Sequence, residues 1–311
     1  MIKNPFANKF ITNLHHADFD GAISGACVMA AFGDNAICKA YSIANVGEAT
    51  LDIIDDTDVV LLTDISVYKN YLERLIPYLQ KDKLIIYDHH SNDHSEEIFS
   101  KLGKNTSSIM DPEICGSTLT WLKLSEYYPN NQKLKDLERI VYLSDVYDMW
   151  RLENPDFEYA VKINDLLDYR IGYNPDDFRE RFFENPDPYD LSADEQMIIE
   201  RKAIQHRENL KLMERTASLF DYKDHVFVMV EAQATNYTHM HFMREVLETE
   251  QVDMFILKYP KSTQCSVRIP DGSKIVDLNS WYEDFGCLGH KKAGGIQKDE
   301  YHRLKKVLEQ I

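Results

Sequence analysis

Residues 58–64 read DVVLLTD and residues 83–90 read KLIIYDHH. Each is a short apolar run, rich in valine, leucine and isoleucine, that stops at a carboxylate. A strand with one wet face alternates apolar and polar residues, whereas a strand covered on both faces does not. The two runs therefore predict central strands of a sheet layered between helices. Outward from them, KFITNLH at 9–15 predicts a first strand, GAISGACVMAAFG at 21–33 a helix of small residues, and residues 36–41 a second strand. Helices are expected at 68–80, 116–128 and 133–150. This alternation implies an α/β fold, a doubly wound and mostly parallel sheet.

Between about 155 and 190 the pairs Asn154-Pro155, Asn174-Pro175, Asn185-Pro186 and Asp187-Pro188 punctuate the chain into short helices and turns. A long connector helix follows at 192–220, with Ser192 and Glu195 spaced as a capping box. Beyond it come a strand at 225–230, a helix at 235–249, a strand pair at 252–259 and 263–270, and helices at 274–285 and 299–310. The expected organisation is a domain at 1–190, a connector helix at 191–220 and a smaller α/β domain with a mixed sheet at 221–311.

The 311 residues are 44% hydrophobic and 28% charged, enough apolar material for buried cores and no sign of disorder. The net charge of −17 is uneven: residues 1–190 hold 33 acidic and 18 basic side chains, a balance of −15, against −2 for the rest. Proteins that grip long nucleic acid through its phosphates carry basic excess, so a long strand is not the expected partner. Five cysteines without a CxxC pair read as reduced and buried. No apolar run is long enough to span a membrane and the start has no signal-peptide stretch, so a cytoplasmic protein is expected. Oligomeric state stays open, a homodimer included.

The chemistry-bearing residues gather at strand ends. The first strand runs into His15-His16-Ala17-Asp18-Phe19-Asp20, the central strand at 58–64 ends at Asp64, and that at 83–88 runs into Asp88-His89-His90. In an open parallel sheet, ligands bind beyond the carboxyl ends of the strands. A lone aspartate after a strand is more often a helix cap; three acidic strand ends with neighbouring histidines are not caps alone. Oxygen and imidazole donors without thiolate suit manganese, magnesium or iron better than structural zinc. A single carboxylate on a central strand, Asp64, is the candidate bridge between two such ions, which together clamp a phosphate.

These residues resemble the motifs of the DHH phosphoesterase family. Tyr87-Asp88-His89-His90-Ser91-Asn92-Asp93 is similar to the signature that names it, His16 to Gly21 to its first motif, Asp64 to its second and Leu143-Ser144-Asp145 to its fourth. Residues 275–295, IVDLNSWYEDFGCLGHKKAGG, resemble the glycine-histidine motif of the associated C-terminal domain, and Cys265-Ser266-Val267-Arg268 its arginine strand. The resemblance implies metal ligation by His16, Asp20, Asp64, His89 and Asp145, a scissile-phosphate contact from His90, and an orienting role for Asp88. Asp18 replaces the further aspartate of some members, for which this chain has Ala22. Asp148, at i+3 from Asp145, competes with it; Asp145 ranks first. Arg268, Gly289, His290, Gly294 and Gly295 are the candidate substrate-binding residues, and Arg268 is also a candidate catalytic residue that, with His90, would neutralise charge developing on the phosphate.

The resulting expectation is a metal-dependent phosphodiesterase with two manganese ions, magnesium or another divalent ion being the alternatives. Its expected substrates are short oligonucleotides or small nucleotides. An inorganic pyrophosphatase or exopolyphosphatase of the same family is the second reading, and a nucleotide-binding sensor without catalysis the third.

Overall fold

The computed structural model describes residues 4–90, 99, 106–151, 153–231, 236–259, 263–270, 272–289 and 292–310. His290, Lys291 and the Ser91-Asn92-Asp93 end of the signature lie outside them. The chain divides into two compact units, Met1–Ile199 and Glu200–Ile311.

In the first unit five strands form one sheet: β1 (Ile11–His16), β2 (Ala36–Tyr41), β3 (Val59–Thr63), β4 (Leu84–Asp88) and β5 (Ile109–Met110). Their order is β2-β1-β3-β4-β5, and every pairing is parallel. All five residues of both β3 and β4 are buried, as their unbroken apolar runs require. Side chains alternate across the sheet. Leu14, Val60, Leu62, Leu84 and Ile86 pack with Val46 of α2 (Ile43–Ile53) and with Leu72, Leu75 and Leu79 of α3 (Lys69–Leu79). Helix α1 (Phe19–Phe32) packs on β1 and β2, and also against α4 (Gly116–Tyr127), α6 (Glu138–Asp148) and α8 (Pro175–Glu184).

Because β1 pairs with β2 on one side and β3 on the other, the connections leave in opposite directions between β1 and β3. That switch point opens a crevice at the carboxyl ends of these two strands. His16 ends β1, and Asp64 follows β3 directly.

Several boundaries differ from the sequence reading. The helix expected at 133–150 divides at Leu137 into α5 (Gln132–Asp136), whose Leu134 N–H is capped by Asn131, and α6. Helix α2 and the two-residue β5 have no counterpart in the sequence pattern. Helix α7 (Phe157–Asn164) and α8 occupy the proline-punctuated stretch; Asn174 caps α8 by accepting from Asp177, with Pro175 at the first helical position. The long helix α9 (Ala193–Thr216) stops before 220, because residues 218–222 form strand β6. Its capping box is present: Glu195 N–H donates to Ser192 Oγ at 3.2 Å, and Ser192 N–H to Glu195 Oε2 at 2.7 Å.

The second unit adds β7 (His225–Glu231), β8 (Met254–Lys258), β9 (Cys265–Arg268), β10 (Cys287–Gly289) and β11 (Ala293–Ile296), and its mixed six-stranded sheet runs β10-β11-β9-β8-β7-β6, with β7 and β8 parallel and the other pairings antiparallel. Met213 of α9 and Phe242 and Met243 of α10 (Asn236–Leu247) cover one face. Trp281, Phe285, Leu304 and Val307 cover the other, the first two from a 3-10 turn at Leu278–Trp281 and the short α11 (Tyr282–Phe285), the last two from α12 (Tyr301–Leu308). The helix expected at 274–285 shrinks to that turn and α11, since Asp277 starts a new cap and Gly286, at φ 74°, ends it. β10 (Cys287–Gly289) and β11 (Ala293–Ile296) form the end of the glycine-histidine stretch. All five cysteines are buried and unbridged. Among the described residues, no helix is long and apolar enough to cross a membrane.

Glu195 ties α9 to α8 through Arg181, whose Nε lies 2.6 Å from Glu195 Oε1, with Glu195 buried and Arg181 largely so. Arg181 also donates to the carbonyls of Asn185 and Asp190. Removing one partner of a buried pair strands the other charge. Arg181→Ala should lower the unfolding free energy of the chelator-treated protein by roughly 3 kcal/mol in urea titration. A loss under about 0.5 kcal/mol would class the pair with weak surface bridges.

Candidate metal centre

Asp64 sits at the focus of the crevice. It is 1% exposed, its φ of 56° lies in the left-handed region, and neither carboxylate oxygen has a hydrogen-bond partner among the described residues. A non-glycine residue held there stores strain of about 1 kcal/mol or more, and such strain clusters at functional sites. The turn that imposes it is anchored by Asp64 N–H, which donates to the Tyr87 carbonyl at 2.8 Å. Gly116 makes room for it: a Cβ there would lie 2.5 Å from Asp64 Cβ.

The two Asp64 oxygens face different neighbours. Oδ2 lies 3.8 Å from His16 Nδ1, which is itself 2.6 Å from Asp18 Oδ2. Oδ1 lies 3.2 Å from His89 Nε2, and that nitrogen is 3.4 Å from Asp148 Oδ2 and 3.8 Å from Asp20 Oδ2. His16, Asp18 and Asp64 form one group able to hold a metal ion, Asp20, His89 and Asp148 a second, and Asp64, His89 and His90 a third that links them.

Each of these side chains is delivered by its element. Asp18 caps α1 by accepting from Gly21 N–H at 3.0 Å, so it serves as a helix cap and faces His16 at once. Asp20, in the first turn of α1, accepts from Gly116 N–H at 2.6 Å, Ser117 N–H at 2.9 Å and Ser144 Oγ at 2.9 Å. The amino end of α4 thus compensates this buried carboxylate. Asp88 Oδ1 accepts from the backbone N–H of His89 at 2.9 Å and lies 2.8 Å from His90 Nδ1. His90 is left half-exposed, with its other ring nitrogen free of any bond to Asp88.

The electrostatics are those of crowded, buried carboxylates. Burial, and then repulsion from Asp20, Asp18 and Asp148, pushes Asp64 well above the usual carboxylate range. Burial, and then repulsion from Asp20 and Asp18, pushes Asp148 up to about 8. Burial opposes protonation of His90, but the hydrogen bond to Asp88 outweighs it and raises His90 to about 9. Burial would likewise raise Asp88, yet its bonds to His90 hold it below the usual range. The orphaned Asp64 oxygens and the crowd of carboxylates fit a divalent-cation site, because cations relieve both at once.

The geometry brings Asp148, and not Asp145, into a group able to hold a metal ion. Asp148, the last residue of α6, faces His89, whereas Asp145 is held by Arg151 Nε at 2.5 Å and accepts from Cys115 N–H at 3.4 Å. A separation of three residues leaves the two carboxylates about 60° apart around a helix, enough for one to face the crevice and the other its rim. His15 lies beside the site in full burial; desolvation and Arg179 push its pKa down to about 4. In the second unit, Arg268 ends β9 (Cys265–Arg268) half-buried and donates to the Val267 and Gly294 carbonyls at 2.9 and 3.3 Å. Gly294 and Gly295 are strand residues of β11, and Gly289 pairs with Gly294. Gly286, just before β10, has positive φ, whereas Gly289, Gly294 and Gly295 pair within the strands.

Gly116, Ser117 and Ser144 carry structural duties that the sequence reading did not assign. Ser144 stands inside the quoted Leu143-Ser144-Asp145 motif, and Gly116-Ser117 open a predicted helix, the place where backbone donors are spare.

No family model and no curated protein matches the chain. Solved structures do. A pGpG-specific phosphodiesterase from Vibrio cholerae superposes with a TM-score of 0.61 at 14% identity, over 97% of this chain and 98% of the other. The DHH domain of a member of a ribosomal-protein family gives 0.59 at 17%, over 98% and 86%. An exonuclease RecJ bound to manganese gives 0.59 at 16%, over 97% and 89%. The chain therefore has the two-unit α/β fold of the DHH-domain proteins, as the motif resemblance implied.

Metal-free protein should carry the strain of Asp64 measurably. A carboxyl whose folded pKa is raised stabilises the fold fully below its unfolded pKa of about 3.8 and loses that stability as pH rises through the folded value. In chelator at pH 8, Asp64→Asn should melt above the parent protein, and the gap should close toward acid pH. A parent as stable as Asp64→Asn at pH 8 would remove the repulsion argument.

Proposed function

We propose that the chain is a metal-dependent phosphodiesterase acting on short oligonucleotides or small nucleotides. The observation that carries this reading is Asp64: a buried carboxylate with no donor for either oxygen among the described residues, each oxygen turned toward a separate ligand group. His16, Asp18 and Asp64 would hold one divalent ion, and Asp20, Asp64, His89 and Asp148 the other. Bound there, two ions, manganese first among the candidates, would polarise a phosphoryl oxygen and lower the pKa of a water. Asp88 fixes the His90 ring through Nδ1, which turns Nε2–H outward as a donor to a phosphate oxygen. Fold likeness to a pGpG-specific phosphodiesterase and to a manganese-bound exonuclease supports the same class of chemistry.

The substrate end of the reading rests on charge. An N-terminal half with a balance of −15 repels each added phosphate of a long strand, and a dinucleotide avoids most of that cost. A hydrolysis panel with manganese should include dinucleotide RNA, an RNA length ladder, single-stranded DNA, cyclic nucleotides and pyrophosphate. The dinucleotide should be cut with the highest kcat/KM. Efficiency that rises with length would overturn the short-substrate reading, and preferred hydrolysis of pyrophosphate would move the protein to another substrate class. Binding without turnover under every divalent ion would make it a sensor.

Two substitutions separate ligand from donor. Asp64→Ala should lose bound manganese, by elemental analysis, together with turnover. His90→Ala should retain the metal and lose kcat by about a hundredfold. Metal loss in His90→Ala but not in His89→Ala would exchange their roles.

A further inference from the structure

Behind His16 lies a buried relay that the metal reading does not use. Arg179, on α8, is 5% exposed. Its Nη1 lies 3.0 Å from His15 Nε2 and 2.9 Å from the Cys38 carbonyl oxygen and shares its two hydrogens with Asp176 Oδ1 as well, while Nη2 donates to Glu180 Oε1. His15 is fully buried, and its Nδ1 lies 2.8 Å from the His16 carbonyl oxygen. A guanidinium only donates and a carbonyl only accepts. The imidazole therefore carries its hydrogen on Nδ1, gives it to the His16 carbonyl, and presents a bare Nε2 to Arg179.

The surroundings are shaped to keep this relay. On Gly25, a Cβ would stand 2.7 Å from the His15 ring and 2.8 Å from Arg179 Cδ. On Gly21, a Cβ would stand 2.2 Å from the His16 carbonyl oxygen. Two glycines of α1 thus leave room for the arginine, the imidazole and the carbonyl they fix. His16 and His15 project to opposite sides of β1. Locking the peptide after His16 from one side sets the direction in which the His16 side chain enters the crevice on the other. Metal ligation tolerates displacements of only about 0.2 Å.

We propose that Arg179 is a positioning residue of the metal centre, acting through His15 on the backbone of His16. This rests on the reading of His16 as a ligand. It distinguishes Arg179 from an arginine that merely staples α8 to the sheet: a staple supports stability alone, whereas a positioning residue also sets metal affinity at the His16 side.

The test is manganese titration calorimetry on wild type, Arg179→Met, His15→Leu and the double variant, with thermal melts in chelator as a measure of folding. Wild type should bind two ions. Arg179→Met should weaken one of them by about ten- to hundredfold, the range seen when groups orienting a ligand are lost. If the relay runs through His15, the double variant should lose no more affinity than the more affected single. Arg179→Lys, which keeps the charge but offers fewer directed donors, should fall between wild type and Arg179→Met; it carries the test should Arg179→Met fail to fold. Two ions bound at wild-type affinity in a folded Arg179 variant would overturn this inference alone. Affinity losses that add fully across the double variant would also overturn it, since they would place Arg179 and His15 on independent routes. A wild type that binds no manganese would overturn the metal reading as well.

Discussion

Mutual repulsion among buried carboxylates is the constraint around which the first unit is built. Asp20, Asp64 and Asp88 are all nearly or fully buried, and Asp18 and Asp148 face the same crevice. Taking a carboxylate out of water costs several kcal/mol unless it is paired. The structure compensates two of the three buried ones and leaves the third. Asp20 rests on the amino end of α4 and a serine hydroxyl, and Asp88 on the backbone and ring of its own DHH turn. Among the described residues, Asp64 has no donor for either oxygen. Beside it Asp88 Oδ2 and His89 Nε2 also lack a partner among those residues, so the centre as a whole is short of the positive charge that cations would supply.

Topology sets up this arrangement before chemistry enters. The strand order reverses between β1 and β3, so the ends of those strands are splayed over an open crevice. Burial of β3 and β4 on both faces fixes their register, and with it the positions of Asp64 and the Asp88-His89-His90 turn. Glycines at 21, 25 and 116 admit the close contacts that bring α1 and α4 against the strand ends. Stability is lost locally, in the left-handed turn at Asp64 and the unpaired charge, and regained in the apolar layers on either side of the sheet.

Much of this is legible in the residues. Unbroken runs such as DVVLLTD point to interior strands, and acids at their ends meet at one edge of a parallel sheet. Position on a helix is less legible: Asp145 and Asp148 are three residues apart, just short of a turn, and Arg151, from outside the motif, holds Asp145. The Arg179–His15 relay is invisible in the sequence because its partners are 164 residues apart and neither belongs to a recognisable spacing. In the second unit, the run of Gly289, Gly294 and Gly295 suggests freedom of φ, yet strand pairing along β10 and β11 uses these residues for close backbone approach. Helix α2 and strand β5 escape the pattern for a plainer reason: one has few apolar anchors and the other only two residues.

Crystals grown with manganese and measured at its absorption edge would test the central claim most directly. The account predicts two anomalous peaks about 3.5–4 Å apart, flanking Asp64, with one oxygen of its carboxylate on each. A single peak, or a pair that leaves Asp64 uncoordinated, would contradict it.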